Sequence, residues 1–104
     1  MAASALGWVQ EERSEARDAV HHRTRAAHTD GRLLPIVIVN TSVGGLMARC
    51  EASCEQGDRL RIDLPIVGAL PVEVRWSLGG RIGCRFVQPM QPADYYTLLG
   101  ALRR

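Results

Sequence analysis

The stretch Arg59-Leu-Arg-Ile-Asp-Leu64 sets Leu60, Ile62 and Leu64 against Arg59, Arg61 and Asp63. Strict alternation is the signature of a β-strand with one face in a core and the other in water. A strand this short is not stable alone, so it commits the chain to a sheet. The signal recurs. Leu70–Trp76 alternates Leu70, Val72, Val74 and Trp76 against Pro71, Glu73 and Arg75. Arg81–Val87 puts Ile82, Cys84 and Phe86 on one face, and Trp76 and Phe86 read as core. Leu33–Val39 is an apolar, β-branched run, with Pro35 implying an edge or a strand end. Val20–Ala27 alternates more loosely, and Leu46–Cys50 is shorter.

Turn residues separate these runs: Asp30-Gly31, Asn40 to Gly45, Gln56-Gly57-Asp58, Pro65 to Ala69, and Leu78-Gly79-Gly80. Six strands at intervals of roughly 8–12 residues predict a small antiparallel barrel or sandwich. Closure removes the exposed edges that so small a sheet would otherwise present. After Pro89 and Pro92 the period changes. Ala93–Leu102 places Tyr95, Leu98, Leu99 and Leu102 on one side of a short helix that caps the sheet. The fold class is therefore all-β: a six-stranded antiparallel β-barrel over residues 20–104 with a short C-terminal helix. Residues 1–19, poor in β-branched side chains, are expected to be a flexible N-terminal arm.

A chain of 104 residues is one domain, and its net charge of +2 is too balanced for a general nucleic-acid binder. Only five aromatic residues are present, mostly at core positions, leaving no evident platform for stacking single-stranded bases. All 13 basic side chains are arginine, which offers planar forks and stacking faces where lysine offers a point charge. The start lacks a secretory pattern and no run is long enough to cross a bilayer, which implies a cytoplasmic protein without membrane insertion. Cys50, Cys54 and Cys84 form no disulfide framework. With His21, His22 and His28 they do not match zinc-ligand spacing, so no metal is expected. Cys50 and Cys84 read as small hydrophobes. No nucleophile elbow, P-loop or paired carboxylates appear, so catalysis is not expected. Trp8 lies in the arm, where the pattern gives it no core role.

Two short motifs remain. Arg13-Ser-Glu-Ala-Arg17 carries two arginines four apart, on one face whether the segment is helical or extended. Asn40-Thr-Ser42-Val-Gly-Gly45 closes the apolar strand with small polar groups at alternate positions. A guanidinium binds phosphate bidentately, pairs with the O6/N7 edge of guanine and lies flat on a purine. Asn40 and Ser42 can donate and accept, and Gly45 permits close backbone approach or a positive φ.

In this order, separated by residues 18–39, the motifs resemble the ligand signature of the PilZ family, R-x-x-x-R followed by (D/N)-x-S-x-x-G. Glu73-Val-Arg-Trp-Ser-Leu-Gly-Gly-Arg-Ile-Gly-Cys-Arg-Phe86 is similar to that family's closing hairpin. One departure is Glu12, where an additional arginine is frequent in the family. The resemblance implies a PilZ-like split barrel that binds the bacterial second messenger cyclic di-GMP and has no cofactor. Arg13 and Arg17 would hold guanine and phosphate; Asn40, Ser42 and Gly45 would meet the second guanine and its sugar–phosphate. It further implies a receptor that passes ligand binding to a downstream protein in motility, biofilm or exopolysaccharide control. The alternative is an interaction module of the same fold with weak or no ligand binding.

Overall fold

The computed structural model describes residues 16–103. Arg13, Trp8 and nearly all of the expected arm lie outside the described residues. Six strands follow in order: β1 (Asp18–His28), β2 (Leu33–Thr41), β3 (Gly45–Arg49), β4 (Arg59–Leu64), β5 (Gly68–Leu78) and β6 (Arg81–Phe86). Among the described residues one helix, α1 (Pro92–Leu102), follows the strands. The strands form a closed antiparallel barrel in the order β1-β2-β3-β6-β5-β4. Hence the expected fold class stands, with β1 starting two residues earlier than the pattern indicates.

Alternation builds the interior. Leu34, Ile36 and Ile38 from β2, Leu60, Ile62 and Leu64 from β4, Val72 and Val74 from β5, and Ile82 and Phe86 from β6 are all buried. Cys50, Cys54 and Cys84 join the same core as free thiols. Burial pushes the Cys84 thiol up to about 12 and the Cys54 thiol, which also feels Cys50, up to about 11. Pro35 pairs with Arg25 of β1, while the β2–β3 ladder reaches only as far as Val37. The proline therefore sits where one side of β2 needs no N–H donor.

Helix α1 buries Tyr95, Leu98, Leu99 and Leu102, the stripe its spacing predicts. It does more than cap. The Tyr95 hydroxyl donates to Asp18 Oδ2 at 2.6 Å and lies 3.1 Å from the Thr41 carbonyl oxygen. Arg103 approaches Asp18 at 3.6 Å and the Ala19 carbonyl at 3.4 Å. The start of β1 and the end of β2 are thus fastened to one support. None of the described helices is long and apolar enough to cross a membrane.

Candidate functional site

Three irregularities in the ladders decide what faces outward on one side of the barrel. In β2, Ile38 pairs with Ala48 but Asn40 pairs with Met47, so Val39 is an extra residue. Leu34, Ile36 and Ile38 point inward, and simple alternation would send Asn40 after them. The bulge reverses the phase, so Thr41 is buried and Asn40 reaches the outer face. In β5, Val74 pairs with Cys84 but Trp76 pairs with Gly83, which makes Arg75 the extra residue. A third shift lies between Ala19 and His22 in β1.

The β5 bulge corrects the expectation for Trp76. It does not continue the inward row of Val72 and Val74 but is 43% exposed on the outer face. Its indole lies directly on Gly83: a Cβ there would stand 2.1 Å from Nε1 and 2.3 Å from Cε2. Glycine at 83 is what allows the ring to lie down on the sheet. Five strands then contribute one transverse row, Ala19–Asn40–Met47–Gly83–Trp76, through successive cross-strand partners.

Around this row opens a pocket of about 590 Å³. Arg17, Asn40, Met47, Arg75, Trp76 and Arg85 supply its principal side chains, and Ser42, Gly44, Gly45 and Gly83 also line it. Its size falls in the range usual for small-molecule sites. Four of the five residues singled out from the sequence thereby meet: Arg17, Asn40, Ser42 and Gly45. Arg17 donates from Nη1 to Asn40 Oδ1 at 3.0 Å, joining the two motifs directly.

Two of the four differ in detail from the sequence reading. Gly45 has no positive φ. It is required because β3 runs against β6 so closely that a Cβ would sit 2.1 Å from the Cys84 carbonyl oxygen. Ser42 does not share an exposed strand face with Asn40. β2 ends at Thr41, and Ser42 opens the turn, with its amide bonded to the Gly45 carbonyl at 2.8 Å. The residue has no exposed surface and forms part of the pocket wall.

The pocket is cationic. Arg17, Arg75 and Arg85 line it, and among the described residues no carboxylate does. Glu73 stands beside it, 2.8 Å from Arg85 Nη2 and 3.9 Å from Arg75 Nη1. Arg85 is thus hydrogen-bonded to Glu73, and Arg75 is the more distant of the two. Sequence reasoning missed Met47, Arg75, Trp76 and Arg85. The available signals were Arg75 after Val74 and Arg85 after Cys84, each at an outward position in its alternation. Among the described residues no group of three or more His, Cys, Asp or Glu side chains could hold a metal ion.

The fold and site together define a small closed β-barrel with an arginine-lined pocket on its flank. No protein-family model matches the chain, and comparison with curated proteins finds no match.

Proposed function

We propose that the pocket binds a cyclic dinucleotide, cyclic di-GMP, and that the chain is a non-catalytic receptor for it. The observation that carries the reading is the 3.0 Å contact from Arg17 to Asn40, because it joins both motifs in one cationic, aromatic-lined recess. A dianion with two purines needs arginines for phosphate and for the guanine edge, and a flat apolar face for a base. Arg17, Arg75 and Arg85 meet the first requirement and the exposed Trp76 indole the second. Asn40 and the Gly44 amide serve as polar partners, with Ser42 and Gly45, whose peptide groups bond each other across the turn, shaping the wall behind them.

In this reading the ligand takes Arg17 from Asn40 Oδ1, and Arg13, which lies outside the described residues, is the second arginine of the motif to contact it. A downstream protein then responds to the altered surface. Such a ligand shifts the equilibrium only by its differential affinity for the altered arrangement. Control of motility, biofilm or exopolysaccharide is the corresponding cellular role, in a cytoplasmic setting.

The test is calorimetric titration of the full chain with cyclic di-GMP, GTP and an oligonucleotide. Saturable binding of the cyclic dinucleotide alone is expected. Arg17→Ala, which removes a charge-assisted contact worth about 1.5–3 kcal/mol, weakens it by about tenfold or more. No binding of any of the three overturns the reading and leaves an interaction module of the same fold.

A further inference from the structure

Next to the pocket row runs a second transverse row on the same outer face. Its members are Arg23 of β1, Val37 of β2, Arg49 of β3, Arg81 of β6 and Leu78 of β5, each the register partner of the next. At about 4.8 Å per strand the row spans roughly 19 Å. Arg49 lies two residues beyond Met47, and Arg81 two before Gly83, so the rows are neighbours.

This row is energetically odd. Arg49 and Arg81 face each other directly across β3 and β6, both exposed, an arrangement of like charges that destabilises a sheet. Among the described residues no carboxylate pairs with Arg23, Arg49 or Arg81, as none does with Arg17, Arg59 or Arg61, whereas Arg25, Arg32, Arg75, Arg85 and Arg103 have acidic neighbours. Leu78, the cross-strand partner of Arg81, is 78% exposed.

We propose that the row is a docking surface for another protein, through a segment that combines carboxylates with aliphatic side chains. Carboxylates meet Arg23, Arg49 and Arg81; aliphatic groups meet Val37 and Leu78. Two observations favour this partner over a nucleic acid or an anionic membrane. Apolar residues interrupt the arginines, where a phosphate polymer calls for unbroken positive charge. The row also holds no aromatic ring on which a base could stack. β2, β3 and β6 are each paired on both sides, so the partner engages side chains and does not extend the sheet. A partner seated here borders the pocket and is positioned to sense what fills it.

The experiment uses the full chain without nucleotide and a fluorescent synthetic dodecapeptide of interspersed Glu and Leu. The expected result is saturable binding that weakens as salt rises and falls at least tenfold in Arg49→Ala/Arg81→Ala. Equal affinity in that double variant, no binding of the peptide, or preferential binding of duplex DNA or phosphatidylserine vesicles overturns the proposal. Arg81→Glu supplies a second readout: by turning a like-charge pair into an opposite one it raises Tm while reducing peptide binding. A lower Tm there overturns the electrostatic premise. Cyclic di-GMP affinity is measured in the same variants and is expected to be unchanged, since neither arginine lines the pocket. Failure of the docking surface is therefore separable from failure of the ligand reading.

Discussion

At the scale of single residues, two glycines shape the pocket by lacking a side chain. Gly83 seats the Trp76 indole, and Gly45 lets β3 and β6 approach. Their substitutions differ in what must give way. In Gly83→Ala the clash is with a side chain that can rotate off the sheet, at a cost of about 1–3 kcal/mol. The displaced indole becomes more exposed, so its fluorescence in a Trp8→Phe background shifts to the red. An unshifted spectrum would show that the ring does not rest on Gly83. In Gly45→Ala the clash is with the Cys84 backbone carbonyl, so a strand must move. Stability falls by about 3 kcal/mol or more, and denaturant melts should rank Gly45→Ala below Gly83→Ala. The motif glycine is thus explained by packing between strands, whether or not a ligand also needs it.

At the scale of elements, turns and loops do the locating. The β4–β5 connection is tight: Val67 donates its amide to the Pro65 carbonyl at 2.7 Å around Ile66, whose φ is +72°. This is a strained three-residue turn, unfavourable for a β-branched residue, and Ile66 is 64% exposed, so little burial offsets the strain. Ile66→Gly is therefore expected to stabilise the protein by about 1 kcal/mol, measured as a rise in Tm. At α1 the balance is opposite. The Tyr95 phenol is held well above its ordinary pKa, first by burial and then by the Asp18 carboxylate that accepts its proton. Tyr95→Phe leaves the Asp18 carboxylate and the Thr41 carbonyl without that partner. It should cost about 1–3 kcal/mol in urea melts and loosen the strand end that carries Arg17. A stability equal to wild type would remove the helix from any part in ordering the site.

Across the whole molecule, one polar cluster ties the β1–β2 turn to the loop between β3 and β4. The Asp30 amide donates to His28 Nδ1 at 3.0 Å, which leaves the ring proton on Nε2, donated to Asp58 Oδ2 at 2.9 Å. The Glu55 amide also donates to Asp58 Oδ2, at 3.0 Å. The hydrogen bond from His28, followed by that from Glu55, holds the Asp58 carboxyl below its ordinary value. A carboxylate favoured by folding contributes stability above its unfolded pKa, near 3.9. That contribution is lost as pH falls from there through the lowered folded value. Thermal melts from pH 6 to pH 2 should thus show a loss below about pH 4 that is smaller in Asp58→Asn. An identical slope in the variant would mean that Asp58 titrates alike in both states.

The sequence by itself determined what local chemistry can specify. Alternation in Arg59–Leu64, turn residues at Asp30-Gly31 and Gly79-Gly80, and helical spacing from Tyr95 to Leu102 were enough for six strands, a helix and an all-β class. Arg17, Asn40, Ser42 and Gly45 were singled out there by motif, and the structure lines one pocket with them. Only the tertiary structure decided which way Asn40 and Trp76 face. Period-two alternation sends Trp76 into the core beside Val74, and Asn40 in beside Ile38. The bulges at Val39 and Arg75 reverse both, and a bulge is settled by register against another strand, here Met47 of β3 and Gly83 of β6. The same cause brings Arg49 opposite Arg81, a pairing between residues 32 positions apart that no local pattern encodes.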